Sequence, residues 1–203
     1  AVDAGVEQYI ILGAGYDTYA FRNPELLDKI VVFEVDHPDT QSMKINRIKK
    51  QGWEISSSLN FIACDFSKDN FEEIISKSKY DTNKLSFFSW LGVTYYLTLD
   101  EIFKTLQSIS NISKKGSKIV FDYPDENLFD TVDATNRVKN MVKLAYASGE
   151  PMKSALSYSK LEKILEKTDF LIYKHLTPNE IENIYFKGRN DYYHAFENIN
   201  YVT

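Results

Sequence analysis

The 203-residue chain has a single cysteine, Cys64. That excludes a disulfide framework and a thiolate metal site. Three histidines are present, and none has an acid at metal-ligand spacing, so no metal site is expected. No apolar run approaches the roughly 20 residues a membrane helix needs, and no stretch reads as a signal peptide. Clustered basic charge is missing as well. The formal net charge is -5, and Lys44, Arg47, Lys49 and Lys50 read as one solvated helix face. Phosphate recognition needs grouped Lys and Arg, which argues against a nucleic-acid partner. Repeats and low-complexity segments are absent. These exclusions leave a cytoplasmic enzyme or binding domain with a small-molecule partner.

What is present follows a rhythm. The length suits one α/β domain with a sizeable core. The runs at 9–12, 29–36, 59–65, 85–90 and 117–123 read as strands, the first apolar as a strand buried on both faces should be and the second also buried. Helical stretches lie between them: a short one or a turn around Asn23-Pro24, then 40–51, 70–79 and about 98–112. Thr98 with Glu101 forms a capping box for the last of these, and Pro38 suits a first helical turn. Such alternation predicts a doubly wound, mostly parallel sheet with helices on both faces. After Pro124 the rhythm breaks. A helical stretch over 130–147, with Val132, Val138, Met141, Val142 and Ala145 on one side, is expected as part of an inserted cap spanning 125–155. Further elements are predicted as a helix over 159–167, a strand over 170–176, a helix from Pro178 to about 186 and a last strand over 194–202. Ala1 to Glu7 reads like the tail of a helix, so upstream sequence is expected before a single domain covering 1–203.

The chain is organised around Tyr9-Ile10-Ile11-Leu12-Gly13-Ala14-Gly15-Tyr16-Asp17-Thr18. An apolar strand running into Gly-Ala-Gly opens a nucleotide-binding α/β fold, because glycine lets the backbone turn and approach a ligand closely. A dinucleotide fingerprint requires a third glycine where Thr18 stands, just after Asp17. A carboxylate at Asp17 would repel a pyrophosphate but favour an ammonium and a sulfonium. The loop therefore points to S-adenosyl-L-methionine.

Ligands of such sheets bind beyond the carboxyl ends of the strands, and Gly15, Glu34, Asp36, Asp65, Trp90 and Asp122 all fall at or near those ends. Glu34 lies about 20 residues past the loop, the distance at which an acid meets a ribose diol. Asp36 shares that duty, faces the adenine, or caps the next helix. Asp65 suits the adenine amino group, and Phe66 either holds the ring or packs in the core. Trp90, Tyr95 and Tyr96 offer aromatic faces to a sulfonium or simply bury area.

Three segments together resemble the leucine carboxyl methyltransferase family: Ile11-Leu12-Gly13-Ala14-Gly15-Tyr16-Asp17-Thr18, Phe33-Glu34-Val35-Asp36-His37-Pro38 and Phe88-Ser89-Trp90-Leu91-Gly92-Val93-Thr94-Tyr95-Tyr96-Leu97. The likeness is greater to its bacterial branch of S-adenosylmethionine-dependent O-methyltransferases, which includes polyketide carboxyl methyltransferases. The resemblance implies a seven-stranded, Rossmann-like class I methyltransferase sheet with its last strand antiparallel. It implies that Gly13, Ala14 and Gly15 cradle the methionine part, that Glu34 and Asp36 meet the ribose, and that Asp65 and Phe66 hold the adenine. Asp17, Val35, Trp90 and Leu91 complete the implied cofactor set. Two departures stand out. Leu91 occupies a place where the family often carries glutamate, and the family's basic grip on the methionine carboxylate lies upstream of the loop, leaving Arg22 as the alternative within the chain.

A carboxylate acceptor is ionised at neutral pH and needs no base, whereas a hydroxyl acceptor needs one. None of His37, His175 and His194 forms an evident dyad with an acid, which favours a carboxylate acceptor or catalysis by proximity. Tyr95 and Tyr123 are the candidate acceptor-side donors. The competing readings are an NAD-dependent oxidoreductase and a non-catalytic domain that binds S-adenosyl-L-methionine.

Overall fold

A computed structural model describes residues 1–130 and 134–203. Val132, expected in the cap helix, lies outside the described residues. Seven strands run in the order β3-β2-β1-β4-β5-β7-β6: β1 Gln8–Leu12, β2 Val31–Asp36, β3 Leu59–Ala63, β4 Ser86–Trp90, β5 Lys118–Pro124, β6 His175–Leu176 and β7 Ile199–Val202. The mixed sheet is mostly parallel, with β7 antiparallel to both β5 and β6. The chain divides into two compact units, one of residues 1–91 with 104–119 and one of 92–103 with 120–203.

The first unit contains the parallel strands. Ile10, Leu12, Val32, Phe33, Val35, Phe88 and Trp90 are all buried, and burying side chains of this size stabilises by about 1.5–3 kcal/mol each. Strand register aligns the carboxyl ends: Ile11 pairs with Glu34 and Ser89, and Asp36 pairs with Ala63. The order β3-β2-β1-β4 places the reversal of winding between β1 and β4, where such sheets bind ligands. Helix α1 is only Tyr19–Arg22, followed by a 3-10 turn at Pro24–Leu26. Helix α2, Pro38–Gln51, starts on a His37 side chain that accepts from the Asp39 N–H and ends at Gly52 with φ 68°. Helix α3 spans Phe71–Ser76. Helix α4, Leu99–Ile112, opens with the expected capping box: the Thr98 N–H donates to Glu101 Oε2 (2.6 Å) and the Glu101 N–H to Thr98 Oγ1 (3.3 Å).

The second unit is built on short antiparallel pairing, with Phe121 opposite Val202 and His175 also opposite Val202. Helix α5, Asn136–Ala147, is capped by Thr135. With a 3-10 turn at Glu126–Phe129 it forms a small core of Leu128, Val138, Ala145 and Met152, against which Tyr95, Tyr96 and Phe196 pack. Helix α6 is Tyr158–Lys167 and α7 is Pro178–Ile181, the latter continuing as a wider helical turn to Phe186. Two predicted strands shrink. The strand expected over 170–176 is reduced to β6, because Asp169 turns at φ 59° and the Tyr173 and Lys174 N–H groups both converge on the Thr203 carbonyl. The strand expected over 194–202 is reduced to β7, because 195–198 spends its polar groups on side chains: the Ala195 N–H donates to Glu182 and Asn198 Nδ2 to Asp125.

Candidate cofactor site

The glycine loop is locked to the end of β2. The Gly13 and Ala14 N–H groups both donate to the Val35 carbonyl, at 2.8 and 3.1 Å. Gly13 and Gly15 have φ of 70° and 46°, a backbone region that side chains with Cβ rarely adopt. A Cβ at Gly15 would meet no atom within 4 Å, so the loop borders open space. The Gly15 N–H donates to the Asp36 carboxylate, whose other oxygen accepts from the His37 N–H at 2.6 Å. Asp36 is partly exposed and belongs to the same cluster as the loop.

The end of β3 joins this cluster. The Cys64 N–H donates to the Asp36 carbonyl (2.8 Å), and His37 Nε2 lies 3.7 Å from Asp65 Oδ2. Burial alone would raise the Asp65 pKa. Hydrogen bonds from Lys68 and Ser67 outweigh that effect and hold it at about 2, so Asp65 is anionic across the ordinary range. Phe66 is half-buried, with its ring 6.0 Å from Phe71 and 6.3 Å from Trp90. Leu91, directly after β4, is exposed.

Several of the expected site residues are engaged within the protein itself. Glu34 is buried and its Oε2 is paired with the ammonium of Lys44 on α2, so it does not face a ribose. Lys44 is correspondingly not part of a solvated helix face: Gln41, Lys44 and Ile48, at spacings of three and four, form the buried stripe of α2. Burial raises the Glu34 pKa, and the Lys44 hydrogen bond and charge work against the rise. Val35 is fully buried, and its carbonyl is occupied by the loop. Trp90 is fully buried and offers no face to solvent. The Asp17 carboxylate accepts from the Tyr19 N–H and so begins α1. Arg22 Nε donates to Thr18 Oγ1 at 2.9 Å.

In the second unit, Tyr123 is buried and its hydroxyl is hydrogen-bonded to His175 Nε2 at 2.8 Å. Burial pushes its pKa up to about 12. That hydroxyl is a packing group, not a free donor. Tyr95 is half-buried and packs edge-on against Tyr96, with ring centroids 4.8 Å apart. Burial, and next the Asp122 carboxylate, raise the Tyr95 pKa. Asp122 itself is buried, and one oxygen accepts the Gly92 N–H at 2.9 Å. Burial raises its pKa to about 6, against the lowering effect of that hydrogen bond.

Sequence reasoning missed three features: the buried Glu34–Lys44 pair, the Asp122–Gly92 contact and the Tyr123–His175 bond. Only the first left a signal, a lysine set in the buried stripe of α2 ten residues after a strand glutamate.

Strand order and glycine loop define a class I methyltransferase fold. The leucine carboxyl methyltransferase family matches residues 1–110, and the chain belongs to that family. It is 45% identical over 199 residues to the Bacillus subtilis (strain 168) protein named "Putative S-adenosyl-L-methionine-dependent methyltransferase YktD", covering 98% of this chain and 65% of that one. It is 30% identical over 130 residues to a Mycolicibacterium paratuberculosis (strain ATCC BAA-968 / K-10) protein with the same description, covering 64% and 48%. The chain thus spans from about half to just under two thirds of the length of these relatives. Among solved structures, an S-adenosylmethionine-dependent methyltransferase from Clostridium acetobutylicum ATCC 824 superimposes with a TM-score of 0.58 at 16% identity, covering 98% of this chain and 84% of that one. The mitomycin 7-O-methyltransferase MmcR does so with a TM-score of 0.60 at 11% identity, covering 99% and 50%. These two likenesses are likenesses of fold. Among the described residues no helix is long and apolar enough to cross a membrane, and no His, Cys, Asp and Glu cluster could hold a metal ion.

Proposed function

We propose that this chain holds S-adenosyl-L-methionine at the carboxyl ends of β1 to β4, and that the protein transfers its methyl group to an oxygen of a small molecule, a carboxylate or a hydroxyl. The observation carrying this reading is the Asp36 carboxylate, joined to the glycine loop, partly exposed, and beside the open space at Gly15. An adjacent pair of ribose hydroxyls would donate to Asp36, and the charged acceptor strengthens both bonds. Asp65, anionic at all ordinary pH, would accept from the adenine amino group, with the half-buried Phe66 ring beside it. The absence of side chains at Gly13 and Gly15 would admit the methionine part close to the backbone. When bound, the cofactor supplies a methyl group already activated on a sulfonium. The protein's task is then alignment, and positioning of this kind can supply about 7–11 kcal/mol.

The family membership removes the nicotinamide reading. A non-catalytic cofactor-binding domain remains the competing form, supported by Leu91 in the place the family often gives to glutamate. Incubating the chain with methyl-labelled S-adenosyl-L-methionine and a panel of carboxylic acids and phenols separates the two. Label transfer to a carboxylate or hydroxyl supports the enzyme. Tight binding of S-adenosylhomocysteine with no transfer to any member would support the binding domain. We further propose the segment 125–155 as the cap of a single domain covering 1–203.

A further inference from the structure

Directly after the glycine loop, Tyr16 and Asp17 line a separate cavity of about 170 Å³, together with Phe21 of α1, Arg47 and Ile48 of α2, and Trp53 beyond the end of α2. Tyr16, Phe21 and Trp53 give it three aromatic side chains. The Phe21 and Trp53 rings have centroids 5.1 Å apart at 45°, and Tyr16 and Trp53 remain 48% and 47% exposed. Two large aromatic faces so placed leave apolar area uncovered at one small concavity, where a ring would bury it.

The charges in this cavity are unevenly matched. Lys44, which also borders it, is paired with Glu34. The Asp17 carboxylate is engaged by the Tyr19 N–H. Arg47 has its guanidinium stacked over the Tyr16 ring, 4.4 Å from the centroid, and no carboxylate among the described residues pairs with it. A guanidinium stacked by its face keeps its in-plane N–H groups for a partner, and those groups match a planar carboxylate in bidentate fashion. A cavity of this volume is below the range typical for drug-sized ligands and suits a single ring.

We propose that this cavity binds a small planar aromatic acid, its ring between the Tyr16, Phe21 and Trp53 walls and its carboxylate on the Arg47 guanidinium. The residues lining this cavity include neither Asp36 nor Asp65. Its test titrates an aromatic acid in the absence of the methyl donor, so its outcome is read separately from that of the proposed activity.

The chain has two tryptophans; Trp90 is fully buried and Trp53 half exposed, so fluorescence reports on the cavity wall. Benzoate is titrated by fluorescence and by calorimetry, with benzylamine and cyclohexanecarboxylate as controls. The expected result is saturable benzoate binding with a Kd of about 1 mM or tighter, at least about tenfold tighter than either control. Arg47→Gln should weaken binding by about tenfold or more, and the exposed neighbour Lys49→Gln should leave it unchanged. Both positions are exposed, so both variants retain the fold, and circular dichroism verifies it. Absence of saturable binding overturns the proposal. So does benzylamine binding as tightly as benzoate, or an equal loss in the Arg47 and Lys49 variants, which would mark diffuse electrostatic attraction.

Discussion

Glu34 in the first unit and Asp122 in the second are both carboxyl groups taken out of water, and the two units treat them differently. Glu34 sits mid-strand and meets a lysine; its Oε2 is paired with Lys44, while Oε1 has no hydrogen-bond partner among the described residues. Asp122 sits near the end of β5 with a backbone N–H from Gly92, and its pKa rises to about 6. The contrast separates a group that holds two elements together from one held in a costly ionisation state. An ion pair buried between β2 and α2 fixes that helix against the strand. A buried carboxylate stabilised chiefly by one amide is a proton site near neutral pH.

The largest effect should come from breaking the first arrangement. Lys44→Met strands a buried carboxylate, and losses of about 3–5 kcal/mol are typical of such changes. The companion Glu34→Gln in the same chain should restore most of that stability. Urea denaturation measures both, and a cost for Lys44→Met under about 1 kcal/mol would mean the pair is not buried in solution.

Asp122→Asn should act in the opposite direction. The folded pKa of Asp122 lies above its unfolded value, so the folded state binds the proton more tightly. Its stabilising contribution is present below about pH 4 and is lost as pH rises through about 6. Asparagine keeps an acceptor for the Gly92 N–H without the charge. At pH 7.5 the variant should therefore be more stable than wild type by about 2 kcal/mol, and the gain should vanish near pH 4. A gain that persists at pH 4, or a loss at pH 7.5, would mean the carboxylate is better solvated than its burial implies.

Tyr123→Phe probes the smallest of the three. It removes the hydroxyl that bonds His175 and should cost about 1 kcal/mol. Burial lowers the pKa of His175, so its stability contribution is present above the unfolded value near 6.5 and declines as pH falls below it. The difference between variant and wild type should accordingly shrink in acid. Thermal melts at pH 5 and pH 8 check this.

The two units also differ in how much of them could be read from the residues alone. The sequence places strands β1 to β5 to within two residues at each end, because apolar residues dominate runs such as Val31–Val35 and Phe87–Trp90, Glu34 and Ser89 apart. The Thr98 capping box and the Pro38 helix start are local chemistry and were equally legible. The contact between the glycine loop and Asp36 follows from spacing along a βα unit, which brings the ends of β1 and β2 side by side. Distance from the loop does not separate Glu34 from Asp36: Asp36 ends the strand and turns to Gly15, while Glu34 is buried against Lys44. In the second unit the pairing that makes β6 and β7 depends on contacts distant in sequence, from Thr203 to Tyr173 and from Asp125 to Asn198. No local pattern encodes those. This unit also carries the most exposed large apolar side chains, Leu171, Tyr146, Tyr173 and Tyr192 among them, so hydrophobic periodicity there does not report burial.

The measurement that tests the account most directly is calorimetry of S-adenosylhomocysteine binding to wild type, Asp36→Asn and Glu34→Gln, with folding of each verified by circular dichroism. The account predicts saturable binding to wild type, a loss of about tenfold or more for Asp36→Asn, and affinity within about threefold of wild type for Glu34→Gln. No binding to folded wild type, or a loss for Glu34→Gln as large as that for Asp36→Asn, would contradict it.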